Sequence, residues 1–147
     1  MRLAIFEGIP NKTRWLVNGT PINYDFSEAK KALAPIPNFV VQENPEWREL
    51  LVFGTCDYAN GGGAKPWLCI RNSDGAVVGF DGERENPVFT LNTTVERFVQ
   101  TFTFLNSHLS EGKKLPESAD AILNSIDPES YSASDWRLLV EYLSASQ

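Results

Sequence analysis

The sequence predicts an α+β fold, an antiparallel meander sheet with a long amphipathic helix and short C-terminal helices packed on it. Three observations carry this expectation. Short apolar segments rich in β-branched residues cluster between Phe39 and Leu91. A turn signal, Asn72-Ser73-Asp74-Gly75, separates two of them. Apolar residues then recur at helical intervals from Val95 to Leu109. Strands grouped ahead of helices, instead of alternating with them, argue for helices laid on one face of an antiparallel sheet.

Taken in order, Leu3 to Phe6 reads as either a helix end or a short strand, stopped by Gly8-Ile9-Pro10. Arg14 to Val17 reads as a strand ending at the turn Asn18-Gly19-Thr20-Pro21. Ser27 to Leu33 holds helix formers, cut off by Pro35 and Pro37. Phe39-Val40-Val41 is expected to be a short strand and Leu50 to Phe53 a buried one. A turn-rich loop, Asp57 to Pro66, follows. Trp67–Arg71 and Ala76–Phe80 then form a hairpin in which Asp74-Gly75 supplies the positive-φ residues of a tight turn. Asp81-Gly82 marks a further turn, and Val88 to Leu91 another strand. Thr93 and Glu96 have the spacing of a capping box at the start of the long helix, whose stripe is Val95, Phe98, Val99, Phe102, Leu105 and Leu109, with Gly112 as its stop. Ser118 to Ser125 and a segment from about Ser134, carrying Trp136, Leu139, Val140 and Leu143 inward, complete the chain.

At 147 residues, with four Trp and nine Phe, the chain is expected to form one domain over residues 1–147 with a substantial core. Cys56 and Cys69 are too few for a disulfide framework and too widely spaced for a CxxC motif, and His108 is the single histidine, so no metal or other cofactor is expected. Free cysteines, and no leader-like segment in Met1 to Phe6, point to the cytoplasm. Three Asn-x-Thr sequons, at Asn11, Asn18 and Asn92, are read as chance. No apolar run approaches the ~20 residues of a membrane span. Charge is uneven: residues 1–73 carry +1 and residues 74–147 carry −7, for a total of −6. An acidic half repels phosphate backbones and attracts basic proteins, which disfavours nucleic acid as a partner.

Catalytic constellations are weak. Asn60-Gly61-Gly62-Gly63 lacks the pattern of a phosphate loop and leads through Lys65-Pro66 into a strand, where a phosphate cradle needs a helix N-terminus. It reads instead as a connecting loop suited to partner contact, which makes Asp57 and Asn60 candidates. Cys56 and His108 are the only possible thiol–imidazole pair, and nothing in the sequence fixes them together. Asp81, Glu83 and Glu85, with Arg84 among them and Asp74 in the neighbouring turn, look exposed; they suit an acidic patch better than general acid–base work, which needs carboxyls in different environments of a cleft. Trp67 and Trp136 fit core positions. Trp47, beside Glu46 and Arg48, fits either core or interface anchor. A small hydrolase using Cys56 or the carboxylates is the weakest of the readings weighed.

The run Leu50-Leu51-Val52-Phe53-Gly54, the glycine loop, Trp67-Leu68-Cys69-Ile70, Gly75-Ala76-Val77-Val78 and Leu91-Asn92-Thr93-Thr94-Val95-Glu96-Arg97-Phe98 resembles the SUKH superfamily, nearest to the fourth group of its bacterial immunity proteins. Gly8-Ile9-Pro10, Ile126-Asp127-Pro128 and Trp136 are similar to that family's early and late segments, so the resemblance spans about residues 8–143. Its motifs are turn glycines and apolar positions without a catalytic signature. The chain departs from the family in having almost nothing before Gly8 and in carrying Ala64-Lys65-Pro66 where a Gly-Asp pair is usual. The resemblance implies a non-enzymatic immunity protein that binds and occludes a protein toxin, often a nuclease or deaminase; the acidic second half independently suits a toxin with a basic surface. The alternative is a cytoplasmic regulatory or scaffold module on the same fold. The candidate partner-binding residues are Trp47, Asp57, Asn60, Asp74, Asp81, Glu83 and Glu85.

Overall fold

The structure is a computed structural model that describes residues 4–28, 32–58 and 65–145. It is an α+β fold: a curled, wholly antiparallel sheet with one long helix and shorter C-terminal helices. A 3-10 helix, Ala4–Gly8, precedes β1 (Lys12–Val17) and β2 (Thr20–Asp25). Next come β3 (Ala34–Pro35), a one-turn helix α1 (Asn38–Val41) and a 3-10 helix, Pro45–Glu49. The remaining strands are β4 (Leu50–Tyr58), β5 (Trp67–Arg71), β6 (Val77–Phe80) and β7 (Val88–Asn92), followed by α2 (Val95–Leu109), α3 (Ala119–Ile126) and α4 (Asp135–Ala145). The strand order is β1-β2-β4-β5-β6-β7, and β3 pairs with β4 beyond the end of the β2 ladder.

Two expectations are corrected at the level of strands. Thr20-Pro21 opens a strand, because Asn18 and Gly19 (φ 51° and 81°) alone complete a two-residue turn of the type that matches strand twist. Pro21 lies just outside the β2–β4 ladder, which begins at Ile22, so its missing N–H interrupts no described pair there. Phe39-Val40-Val41 is helical. One turn starting at Pro37 buries Val41 while Phe39 stays 73 % exposed, and among the described residues no strand pairs with this segment. The expected helix over Ser27–Leu33 falls partly on residues 29–31, outside the described residues.

Both faces of the sheet are used. The inner face carries Trp15, Tyr24, Phe26, Phe53, Leu68, Ile70 and Val77 against Phe98, Phe102, Leu105 and Leu109 of α2, with Leu123, Trp136 and Val140 from α3 and α4. Its aromatic rings interlock: Phe102 stacks on Trp15 at 5.0 Å and meets Phe26 edge-on at 5.0 Å. On the outer face, Cys69, Val78 and Phe80 pack with Ile36, Val41 and Leu50, and Val40 and Trp47 cover them. Two glycines permit close approach. A Cβ on Gly54, beside a bulge in β4, would lie 2.7 Å from Phe26, and one on Gly79 would lie 2.0 Å from the Phe89 ring.

A buried carboxylate joins the helices to the sheet. Asp127, 1 % exposed, accepts from the Asn92 side-chain amide (3.1 Å), from the Thr93 N–H (2.8 Å) and hydroxyl (2.9 Å), and from Arg97 (3.4 Å). Thr93 is therefore engaged by Asp127, and Thr94 caps α2 by accepting from the Arg97 N–H; this shifts the expected cap by one residue. Asn92 also accepts from the Trp136 indole N–H at 2.8 Å, which keys the start of α4 to the same cluster.

Candidate partner-binding surface

Strand register gathers several loops at one end of the sheet. The β1–β2 turn, the end of β4, the start of β5 and the loop between β6 and β7 all lie there, as the pairs Val17–Thr20, Thr55–Trp67 and Phe80–Val88 show. In the last of these loops, Asp81 accepts from the Glu83 N–H at 3.0 Å and its carbonyl accepts from the Arg84 N–H at 3.1 Å, which folds residues 81–84 into a turn. Glu83 and Glu85 point to solvent. Arg84 turns back, its guanidinium 3.8 Å from the centre of the Phe89 ring, 3.5 Å from Asp81 and 2.8 Å from Asp135 at the start of α4. Phe89 itself lies on Gly79 of the neighbouring strand, so the stack Gly79–Phe89–Arg84–Asp135 ties the acidic loop to α4.

Beside this tie lies an open groove of about 530 Å³, lined by Val17, Thr20 and Ile22 from the β1–β2 hairpin, Leu138, Leu139 and Tyr142 from α4, and the Arg84–Asp135 pair. Leu138 is 60 % and Tyr142 56 % exposed. They stand four residues apart on the solvent side of a helix whose other side buries Trp136 and Val140. A smaller recess of about 60 Å³ shares Ile22, Asp135 and Leu139 with the groove and reaches inward to Cys56, Leu68 and Trp136.

The predicted site residues divide. Asp81, Glu83 and Glu85 do not line this groove; they sit beside it, Asp81 paired with the groove-lining Arg84 and Glu83 and Glu85 exposed on either side of Arg84 in the chain. Asp57 is at the same end of the sheet on its outer face, 3.8 Å from Lys65, in a polar depression of about 390 Å³ shared with Lys12, Arg14 and Asp25. Asp25 there is held below the usual carboxylate range, chiefly by the Ser27 hydroxyl. Asp74 belongs to the opposite end, where it takes two bonds from Arg71 (3.0 and 2.8 Å) and one from the Ala76 N–H. Only Gly75 of that turn has positive φ, so Asp74 acts there as an acceptor and not as the second left-handed residue. Trp47 is half-buried, its ring edge-on to Phe80 at 4.8 Å. Asn60 and the glycine run lie outside the described residues.

Cys56 is buried in the inner core, whereas the His108 ring turns to its own helix, with Nδ1 3.1 Å from the Phe104 carbonyl oxygen. Burial pushes the Cys69 thiol up to about 12. Among the described residues, no group of three or more His, Cys, Asp or Glu is placed to hold a metal ion, and no helix is long and apolar enough to cross a membrane. Sequence reasoning missed Arg84, Asp135, Leu138 and Tyr142. The available signal was an excess of apolar residues on α4: Leu138 and Tyr142 fall off the inward stripe of Trp136, Leu139, Val140 and Leu143. In comparisons with known proteins, the chain matches no family model, no curated protein and no solved structure.

Proposed function

We propose that this domain is a non-enzymatic immunity protein, as its resemblance to the SUKH superfamily implies. In this reading it works in the cytoplasm, binding a toxin with a basic surface, a nuclease or deaminase, and covering its active site or substrate surface. The observation that supports this reading best is the acidic loop at Asp81, Glu83 and Glu85, fastened through Arg84 to α4 beside exposed Leu138 and Tyr142. Acidic charge beside exposed apolar side chains suits fast capture of an oppositely charged protein, because charge steers the encounter and apolar contact retains it. The acidic second half of the chain adds to the steering.

The test is capture of a basic toxin from the source cells, with growth measured in cells that make that toxin with and without this chain. Protection by the wild type that is weakened by Glu83→Lys with Glu85→Lys supports the reading. Capture lost near ~0.5 M salt assigns the affinity to charge, and capture that survives assigns it to the apolar groove. Failure to protect against any captured toxin overturns the reading and leaves a regulatory or scaffold module on the same fold.

A further inference from the structure

We infer that the groove between α4 and the β1–β2 hairpin seats a basic amphipathic helix contributed by the partner protein. This deepens the proposed function and rests on it for the partner's biological role. Shape gives the first reason. Leu138 and Tyr142, spaced i and i+4, form a ridge on α4, and Val17, Thr20 and Ile22 form the facing wall, with Leu139 between them. Ridges at this spacing interdigitate with the side-chain rows of another helix, the packing by which helices enter apolar grooves. The recess behind Leu139 offers room for the tip of an anchoring side chain, since about 60 Å³ is some two water volumes.

Charge decides which helix. Asp81 and Asp135 both pair with the groove-lining Arg84, and exposed Glu83 and Glu85 flank it in the chain, so these five described residues beside the groove carry a surplus of three negative charges. A helix whose apolar stripe is flanked by Lys or Arg satisfies both features. A second copy of this chain offers an apolar ridge but fails on charge, because a two-fold contact would set acidic loop against acidic loop. Nucleic acid and anionic lipid are repelled by the same charge. The acidic loop is also ordered before binding: Arg84 already holds it to Asp135 and to the Phe89 ring, so little ordering remains to be done on association.

The probe is a synthetic peptide of roughly four helical turns, built from Leu, Phe and Lys with the apolar residues on one face. Two control peptides replace Lys by Glu, or the apolar residues by Ser. Binding to the full chain is followed by titration calorimetry, and each variant is first shown to melt as the wild type does. The basic amphipathic peptide should bind, at least about tenfold more weakly to Leu138→Ser with Tyr142→Ser, and more weakly again to Glu83→Gln with Glu85→Gln. Neither control should bind measurably. Equal binding by the serine-faced peptide, indifference to Leu138→Ser with Tyr142→Ser, or no binding of the amphipathic peptide up to about 1 mM would each overturn the inference. So would a dimer in sedimentation that the Leu138 and Tyr142 changes abolish. The two proposals fail separately. Peptide binding without toxin protection removes the immunity role and keeps the groove. Protection untouched by Leu138→Ser with Tyr142→Ser keeps the immunity role and removes the groove.

Discussion

Asp127 shows how much one buried side chain organises. Burial alone would raise its pKa, but hydrogen bonds from the Thr93 N–H and hydroxyl, Ser130 and Asn92 outweigh that effect and hold it below the usual carboxylate range. An unfolded Asp titrates near ~3.9. The stability from this depression is therefore fully present above that pH, and is lost as pH falls through the lower folded value. Asp127→Asn should destabilise the protein by about 2–3 kcal/mol in urea unfolding, and the variant's stability should fall less steeply in acid than the wild type's. An unchanged acid limb would show that other carboxylates dominate it. Cys69 offers a chemical check on the outer core. With its thiol pushed up to about 12 and its side chain fully buried, it should resist maleimide at pH 8 until denaturant is added.

Among the elements, the connections carry the most information. Gly19 has φ 81° in a two-residue hairpin turn, so Gly19→Ala should cost about 1 kcal/mol by thermal melting. Thr94→Ala removes the cap from α2 and should cost about the same. A larger loss at Thr93→Ala than at Thr94→Ala would confirm that the Asp127 contact outweighs the cap. These elements were legible in the sequence to different degrees. The stripe from Val95 to Leu109 spans four turns, enough repeats to define a period, and α2 occupies those residues. Phe39-Val40-Val41 is three residues with no period at all, and the outer core, not intrinsic preference, wound it into a turn of helix. β2 was hidden because Pro21 and Asn23 look like turn residues, whereas Asn23 sits on the open outer face and Ile22 and Tyr24 point into the core. Thr93 lost its expected role to Asp127, a partner 34 residues away that local spacing cannot reveal.

At the scale of the whole molecule, strand register and the Arg84–Asp135 pair set the candidate site. Acidic character in the loop at residues 81–85 is plain from the sequence. Its proximity to α4 depends on Arg84 reaching across 51 residues to Asp135, and no local pattern encodes that. Arg84→Ala should cost only about 1 kcal/mol of stability, since the pair is partly exposed. It should weaken partner binding by more than that if the tie fixes the acidic loop, which comparing melting with calorimetric affinity would show.

The roughly three turns of α4 serve two masters: Trp136 and Val140 belong to the inner core, while Leu138 and Tyr142 face outward on the opposite side. Amide hydrogen exchange along this helix thus reports on both. Local opening of α4 must expose core and groove together, so an occupant of the groove that binds only the closed helix slows exchange at its amides in proportion to occupancy. Protection rising along Asp135–Ala145 and spreading through the Trp136–Asn92 bond to the start of α2 would trace, amide by amide, how an event on the surface is felt in the interior.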